Sequence, residues 1–327
     1  MSDTLPSVTV LIPTRPGQMD VHAVAAARQL DYPPDKLELL VARGTQPSVQ
    51  RNAGLNAARG DLIYFLDDDS FPRSRNLKSA VPHFRDPAVK IVGGPNLCPP
   101  EAPELEHVFA LVLTSWLAFG PSRARYLSVG KARESSEKEL ILCNMLARRD
   151  TMLELGGFNE ALYPNEENAL MEEIQKRGGK LIYDPEFVVH RRPRHSLGAF
   201  CKMLMTYGRG RAEQFRETPT IGSAPNFVPP LFVFYLLTLP AVRMITSVPA
   251  AEWLRTTYHL PLLLYVLIVL VQIPALVPRG GIVRALSALP LIVLTHLLYG
   301  LGFWRGLFTK LKSPGTPSHV AVTLERL

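Results

Sequence analysis

Cysteine is scarce in this chain. Its 327 residues include three cysteines, Cys98, Cys143 and Cys201, which lie far apart and lack metal-ligand spacing. This pattern argues against a cysteine metal site, and we expect ordinary reduced cysteines in a cytosolic domain. The N-terminus also lacks the basic and apolar pattern of a signal peptide, so we expect the N-terminal part to stay in the cytosol.

Acidic residues are almost missing from the C-terminal third. From Pro230 onward there are eight Lys or Arg residues and two Glu residues, which leaves 28 basic and 27 acidic residues before that point. The net charge of +7 therefore belongs mainly to the C-terminal part. A nearly neutral N-terminal part argues against a nucleic-acid-binding domain, and basic residues beside apolar runs favour a membrane partner.

Charge is absent from two long apolar runs. Leu260–Val277 and Ala285–Trp304 each approach the roughly 20 residues that cross a bilayer core, so we predict transmembrane helices over 260–277 and 285–304. A third apolar segment, 231–248, contains Pro240 and Arg243. An arginine within a span is costly, so this segment is compatible with a span, a re-entrant segment or an interfacial helix.

The number of spans decides where the flanking basic residues lie. If 231–248 crosses the bilayer, the loop containing Arg279 and Arg284 is cytosolic, and Arg255 and the tail lie outside. If it does not cross, this assignment reverses. The positive-inside rule mildly favours the second arrangement, which has two spans.

Three consecutive carboxylates follow the apolar segment Leu62–Leu66. The segment is typical of a buried strand in an α/β sheet, and ligands of such sheets bind at the carboxyl ends of strands. Crowded carboxylates repel one another, so Asp67, Asp68 and Asp69 suggest a site for Mg²⁺ or Mn²⁺. The alternative is a solvated acidic turn, but the strand that precedes it favours the metal site.

The first hundred residues alternate between strand and helix patterns. We predict strands over 7–13, 37–42 and 61–66 and helices over 20–30 and 49–59. Such alternation indicates βαβ units with a parallel sheet, whose strand ends face one side. Further predicted elements are a strand at 89–92, a mobile loop at 120–139, an extended segment at 140–147, a helix opened by 163–168 and running to about 177, a strand at 181–190 and a basic amphipathic helix from Ser196 to about 216.

Five short motifs occur in an order that resembles one enzyme family. They are Ile12-Pro13-Thr14-Arg15, Gln50-Arg51-Asn52-Ala53-Gly54, Phe65-Leu66-Asp67-Asp68-Asp69, Gly156-Gly157-Phe158-Asn159-Glu160 and Asn165-Glu166-Glu167. Over residues 7–216 the set resembles the family 2 glycosyltransferases of GT-A fold. The Tyr207–Ala212 stretch and the apolar tail are most similar to membrane-attached bacterial exopolysaccharide enzymes, including succinoglycan glucosyltransferases.

The resemblance implies a fold class and a domain order. We expect an α/β chain with a GT-A nucleotide-sugar-binding domain, a Rossmann-like mixed sheet, over 1–195. An amphipathic interfacial helix and linker would follow at 196–229, a membrane region with two or three hydrophobic segments at 230–310, and a tail at 311–327. The catalytic domain would be cytoplasmic, on a multi-pass protein of the inner membrane.

The same resemblance implies roles at the donor end. Asp67 and Asp69 occupy the D-x-D positions that hold the divalent cation and the donor, with Asp69 as the stronger metal ligand and Asp68 as structural. Arg51 matches an arginine beside the nucleotide-sugar, although an ion pair on a helix surface would also explain it. Further implied donor-binding residues are Pro13, Thr14, Arg15, Arg192, Arg209 and Arg211, and His190 is a further candidate metal ligand.

At the acceptor end the chain departs from the family pattern. The catalytic base of the family is usually the aspartate of an E-D pair, and here the pair is Glu166 and Glu167, with the base expected at Glu167 and Glu166 as the alternative catalytic residue. Acids at a helix start also complement the helix dipole, so a structural role is open to both. The Q-x-x-R-W motif of processive relatives is missing.

These features predict an inverting, metal-dependent glycosyltransferase with a nucleotide-diphosphate sugar as donor. The expected acceptor is a membrane-associated saccharide, linked to polyprenyl diphosphate, in exopolysaccharide or cell-envelope assembly. One alternative is a polyprenyl-phosphate sugar synthase, whose anionic acceptor needs no base. Another is a non-catalytic membrane scaffold with a degenerate glycosyltransferase domain.

Overall fold

The structure is a computed structural model that describes residues 5–162, 165–245, 252–311 and 321–327. The chain forms two compact units. The first unit comprises Met1–Glu101, Pro121–Arg192 and Lys312–Leu327, and the second comprises Ala102–Gly120 and Pro193–Leu311. The chain thus leaves the first unit twice and returns to it twice.

The strands of the first unit form a large sheet and a small one. In chain order they are β1 (Val8–Thr14), β2 (Leu37–Arg43), β3 (Leu62–Leu66), β4 (Phe71–Pro72), β5 (Val89–Gly93), β6 (Asn96–Leu97), β7 (Arg133–Ser135), β8 (Asn144–Arg148), β9 (Lys180–Tyr183), β10 (Val189–His190) and β11 (Thr323–Arg326). The large sheet has the order β11-β2-β1-β3-β8-β5-β9-β7, and the small one has the order β4-β10-β6.

The helices belong to both units. They are α1 (His22–Ala27), α2 (Pro47–Ala57), α3 (Asn76–Ala80), α4 (Glu104–Leu113), α5 (Trp116–Phe119), α6 (Arg149–Glu154), α7 (Glu166–Lys176), α8 (Leu197–Glu217), α9 (Val228–Ile245), α10 (Glu252–Leu270) and α11 (Gln272–Phe308). Short 3-10 helices occupy Pro34–Lys36, Val81–Arg85, Gly120–Arg125, Glu160–Leu162 and Ile221–Phe227.

The centre of the large sheet confirms the predicted βαβ arrangement. Strand β1 pairs in parallel with both β2 and β3, so the carboxyl ends of these three strands lie at one edge. Every residue of β3 is buried, as expected for a strand with apolar layers on both faces. The sheet as a whole is mixed, because β8 runs antiparallel to its neighbours β3 and β5.

Two strands of the large sheet escaped the sequence analysis, as did β4 and β6 of the small sheet. The segment 120–139, predicted as a loop, contains β7, which pairs antiparallel with β9. The tail 311–327 contains β11, which pairs antiparallel with the edge strand β2. Both strands are short, polar and only partly buried, so neither carries the apolar alternation that announces a strand.

The second unit is helical. Two of its helical stretches, Gly222–Val242 and Thr256–Phe308, are long and apolar enough to cross a membrane by length and composition. The second stretch is broken inside α11, where Gly281 has a φ of 77° and interrupts the helical backbone. The predicted segment 231–248 ends outside the described residues, since 246–251 are not described.

Candidate functional site

The acidic triplet lies directly beyond the buried strand β3, at the edge where β1 and β2 also end. The Asp67 and Asp69 side chains are 23% and 44% exposed, so ligands can reach both. Asp68 turns toward β1, where its Oδ2 accepts a hydrogen bond from the Thr14 hydroxyl at 3.3 Å. Burial and the two neighbouring aspartates raise the pKa of Asp68.

An arginine that the sequence analysis did not single out lies between the outer two aspartates. Arg191 Nη1 is 3.3 Å from Asp67 Oδ2, and Arg191 Nε is 2.5 Å from Asp69 Oδ1. Burial opposes the charge of this guanidinium, but Asp67 and Asp69 hold its pKa well above the ordinary value. One arginine therefore neutralises part of the charge of both carboxylates.

Strand geometry explains why Arg191 occupies this position. The backbone N–H of Arg191 donates to the Leu97 carbonyl, so β-type pairing continues one residue beyond β10. Side chains alternate along a strand, so Arg191 shares a face with the buried Val189, and His190 and Arg192 take the other face. Counting in steps of two from Val189 would have identified Arg191 from the sequence.

A second arginine connects the aspartates to the acid pair. Arg51 lies on α2, and its side chain is 8% exposed. Its Nη2 donates to Asp67 Oδ1 at 3.0 Å, and its Nη1 donates to Glu166 Oε1 at 3.3 Å. Residues that are far apart in sequence, 67 and 166, thus share one guanidinium.

The two glutamates at the start of α7 have different surroundings. The Glu166 side chain is 2% exposed, whereas Glu167 is half-buried. Burial raises the pKa of Glu166 to about 7, the Glu167 charge adds to this shift, and Arg51 opposes it. Glu166 is therefore a buried acid held by Arg51, and Glu167 is the member of the pair that solvent can reach.

The neighbours of Arg51 on α2 fix the elements around it. Gln50 Nε2 donates to the carbonyls of Thr14 and Ala42, at 2.7 and 2.6 Å, and so joins the ends of β1 and β2 to the helix. Asn52 accepts from the Phe158 N–H at 2.8 Å and donates to its carbonyl at 2.9 Å. Gly157 has a φ of 77°, and a Cβ there would lie 2.5 Å from Asn52 Oδ1, so this turn requires glycine.

The remaining predicted residues are distributed between the two units. In the first unit, Pro13 and Thr14 are buried at the end of β1, and Arg15 is exposed just beyond it. His190 is half-buried, and burial and nearby Arg73 lower its pKa. Asp67 and Asp69 pair with Arg51 and Arg191, and metal binding by His190 stays a prediction.

The other predicted donor ligands are Arg192, Arg209 and Arg211. Arg192 is exposed at the end of the first unit. Arg209 and Arg211 belong to α8 in the second unit, where Arg209 pairs with Glu213 at 3.4 Å and Arg211 donates to Gln214 at 3.2 Å. Donor binding by these three arginines stays a prediction.

Asp67 and Asp69 fit a cation whose remaining coordination positions are filled by a bound substrate. Within the described ranges, no group of three or more His, Cys, Asp or Glu side chains could hold a metal ion. Asp67 and Asp69 nevertheless converge on one guanidinium. Mg²⁺ is commonly held by one or two carboxylates together with substrate phosphates, so these two carboxylates are the residues that could hold such an ion.

A sequence comparison assigns the chain to a family. A family model described as "Glycosyltransferase like family 2" matches residues 2–205, more than half of the chain. The chain belongs to glycosyltransferase-like family 2. The matched range of this family 2 glycosyltransferase includes the aspartates, Arg51, Arg191 and the two glutamates, and the membership confirms the resemblance at family level.

Individual relatives agree with this assignment, and a solved structure shares the fold. The pre-mycofactocin glycosyltransferases of Mycobacterium tuberculosis strains CDC 1551 and H37Rv are each 30% identical over 168 residues, 51% of this chain and 34% of theirs. The matched region thus spans about a third of those relatives. The mannosyltransferase PcManGT from Pyrobaculum calidifontis, solved in complex with GDP-Man and Mn²⁺, has a TM-score of 0.56 at 19% identity, covering 94% of this chain and 88% of that one. This likeness confirms the GT-A-like mixed α/β fold.

The raised pKa of Glu166 predicts a specific pH dependence of stability. Between the ordinary pKa of 4.5 and the folded value of about 7, the folded protein binds more protons than the unfolded chain, so its stability falls as pH rises through this window. Glu166→Gln cannot ionise and should lack this loss. We expect its thermal midpoint, relative to the wild type, to increase between about pH 5 and pH 8.

Glu173→Gln is the matched control for this experiment. Glu173 lies on the same helix, is 43% exposed and pairs with Arg177 at the surface. Its midpoint relative to the wild type should change little with pH. If the Glu166→Gln difference were equally independent of pH, the elevated pKa of Glu166 would be wrong.

Proposed function

We propose that the chain is an inverting, metal-dependent glycosyltransferase that moves a sugar from a nucleotide-diphosphate donor to a membrane-associated acceptor. The observation that carries this proposal is the double ion pair of Arg51. It joins Asp67, at the donor end, to the acid pair at the start of α7 within a family 2 domain. Donor chemistry and proton acceptance thus meet in one site.

At the donor end, the site must neutralise the negative charge of the departing nucleotide diphosphate. Asp67 and Asp69 would hold a Mg²⁺ or Mn²⁺ ion, which when bound supplies positive charge for the departing nucleotide diphosphate. Arg191, already between these carboxylates, offers a second positive charge at the same point. The complex of PcManGT with GDP-Man and Mn²⁺, a protein of the same fold, supports this assignment.

At the acceptor end, we assign the base to Glu167. Its position matches the aspartate of the family's E-D pair, and its half-buried side chain is open to an acceptor hydroxyl. Glu167 takes the hydroxyl proton as the acceptor oxygen attacks the anomeric carbon and the bond to the diphosphate breaks. A single displacement of this kind inverts the anomeric configuration. Glu166, buried against Arg51, positions the start of the helix.

Replacing Asp69 should remove the function, because it takes away one of the two carboxylates proposed for the cation. We expect Asp69→Ala to lower turnover of the nucleotide-sugar by roughly 10²- to 10³-fold with any acceptor. Asp68→Ala is the matched control, because Asp68 contacts Thr14 instead and should keep most of the activity. Full activity of Asp69→Ala in a radiolabelled sugar-transfer assay would rule out this assignment.

The acceptor distinguishes the proposal from its nearest alternative. A saccharide on polyprenyl diphosphate attacks through a neutral hydroxyl and needs a base, whereas a polyprenyl phosphate is already anionic. Glu167→Ala should therefore lose roughly 10²- to 10⁴-fold in turnover if the acceptor is a hydroxyl. Near-normal turnover, measured with both lipids as acceptors, would favour a polyprenyl-phosphate sugar synthase. A non-catalytic scaffold would bind no nucleotide at all.

The membrane attachment that we propose is the helical hairpin α9–α10. The two helices have 18 and 19 residues, or about 27 to 29 Å, close to the thickness of a bilayer core. Their polar groups pair with each other: the Tyr235 hydroxyl donates to the Tyr258 carbonyl at 2.7 Å, and the Thr238 and Tyr258 hydroxyls are 2.5 Å apart. Large apolar side chains face outward, among them Leu231, Phe234, Leu237, Leu260, Leu263, Leu264 and Leu267.

Helix α11 differs from the hairpin, although its sequence is as apolar. Its second half buries Ala285, Ala288, Ile292 and Phe303 inside the second unit. Arg284 pairs with Glu104, and His296 Nε2 is 2.9 Å from the Leu117 carbonyl. Glu104 and Leu117 lie in the short excursion 102–120, which starts and ends in the first unit and whose α4 has ten residues, too few to cross. We therefore propose that 285–304 stays on the cytosolic side.

The C-terminal strand supports an even number of crossings. Strand β11 pairs with β2, so the chain that leaves the first unit after Arg192 rejoins it before its end. A membrane region that departs from one domain and returns to it must cross the bilayer an even number of times. The two helices of the hairpin satisfy this condition, and three spans do not.

Labelling of single cysteines tests this topology. In a variant without Cys98, Cys143 and Cys201, we expect Trp253→Cys to react with an impermeant maleimide from the periplasmic side and Val283→Cys from the cytosolic side; both native side chains are exposed. Spans at 260–277 and 285–304 would give the reverse pattern. Sealed vesicles of both orientations provide the two sides, and the reversed result would contradict the hairpin.

A further inference from the structure

The loop that follows β1 is attached to the acidic triplet at both of its ends. Thr14, just before the loop, donates to Asp68 Oδ2, and the Ala23 N–H, just after it, donates to the Asp68 carbonyl at 3.0 Å. In between, the Gln18 N–H donates to the Arg15 carbonyl at 3.3 Å and forms a turn. The side chains of Arg15 and Met19 are exposed. The loop 15–20 is therefore an accessible surface directly beside the aspartates.

A side chain of β2 forms a hydrogen bond to the tip of this loop. Arg43, the last residue of β2, donates from Nη1 to the Gln18 carbonyl at 2.7 Å. It lies opposite Thr14 in the parallel pairing of β1 and β2, so it extends past the same strand end from which the loop emerges. Its side chain is 19% exposed. The shape of the loop thus depends on the position of one guanidinium.

That guanidinium is oriented by the C-terminal strand. Glu325 accepts from Arg43 Nε at 2.6 Å and from Nη2 at 3.1 Å, a bidentate pair that fixes the plane of the guanidinium. Three of the five N–H donors of Arg43 therefore form hydrogen bonds, two to Glu325 and one to the Gln18 carbonyl. Because its charge is paired with Glu325, we assign Arg43 to holding the loop through the Gln18 carbonyl rather than to binding a phosphate.

We propose that β11 is part of the donor site and that Glu325 is a positioning residue for the nucleotide, acting through Arg43 on loop 15–20. The proposal rests on the proposed function, together with the donor-binding role that the family resemblance implies for Pro13, Thr14 and Arg15. A strand encoded at the C-terminus, after the membrane helices, thereby sets the geometry of a loop near the N-terminus. Loss of the Glu325 side chain therefore weakens donor binding, although no residue that contacts the reacting atoms is changed.

The structure offers a matched control on the same strand. Arg326 pairs with Glu38 at 2.6 Å and donates to the Ala57 carbonyl at 2.8 Å, so it also holds β11 in place. It lies opposite Leu40 in the pairing of β11 with β2, three residues before Arg43. Arg326→Gln therefore weakens the attachment of β11 without removing the link from Glu325 through Arg43 to Gln18.

The experiment measures donor affinity and loop exchange in the full-length protein in detergent. UDP, GDP and dTDP are titrated with Mn²⁺ into the wild type, Glu325→Ala, Arg326→Gln and the exchanged pair Arg43→Glu with Glu325→Arg. The nucleotide that binds the wild type is then compared across all variants. Hydrogen exchange of residues 15–20 is followed without nucleotide, so that the loop tether is tested separately from nucleotide binding.

We expect Glu325→Ala to raise the Kd of the nucleotide by roughly threefold to thirtyfold, to raise the donor KM similarly, and to leave kcat at saturating donor nearly unchanged. Exchange at 15–20 should become faster. Arg326→Gln should stay within about twofold of the wild type. The exchanged pair restores the ion pair but cannot donate to the Gln18 carbonyl, so it should keep thermal stability and still bind the nucleotide weakly.

Two outcomes would overturn the inference. One is unchanged exchange of residues 15–20 in Glu325→Ala. The other is a loss of affinity in Arg326→Gln as large as in Glu325→Ala, which would indicate general destabilisation of the sheet edge. A wild type that binds none of the nucleotides would instead contradict the proposed function, while faster exchange in Glu325→Ala would still support the tether.

Discussion

Arg51 imposes the constraint on which the candidate site depends. Its guanidinium is almost fully buried and bridges Asp67, beyond β3, and Glu166, at the start of α7. Removing either carboxylate partner destabilises a buried cation, and the buried Glu166 carboxylate in turn depends on that cation. Asp67 and the acid pair are thereby held at a fixed separation, which suits the transfer between two substrates that we propose.

The helix that carries Arg51 extends this constraint to the rest of the first unit. Gln50 joins the ends of β1 and β2, and Asn52 clamps the turn at Phe158. Three consecutive residues therefore connect the ends of β1 and β2, the aspartates and the turn before the acid pair. The five motifs of the sequence are five parts of one hydrogen-bonded assembly. This explains physically why they occur together in the chain.

The sequence predicted those features that depend on local pattern. The buried strand β3, its acidic end and the helix α7 follow from apolar periodicity and from the placement of charge. Arg191 was missed because its importance arises from strand alternation at β10, and β11 was missed because a short polar edge strand owes its existence to its neighbour β2. Composition also could not separate α11, much of which is buried, from the outward-facing hairpin α9–α10.

We propose that the carboxylates beyond β3 bind a nucleotide-sugar together with a divalent cation. The most direct test is a calorimetric titration of UDP-, GDP- and dTDP-sugars into the full-length protein, with Mn²⁺ and with a chelator. We expect at least one nucleotide-sugar to bind in the presence of Mn²⁺ and chelation to abolish this binding. The Asp67→Ala variant should not bind that nucleotide-sugar. If no donor binds with Mn²⁺, or if a donor binds equally well after chelation, cation-dependent binding of a nucleotide-sugar is contradicted.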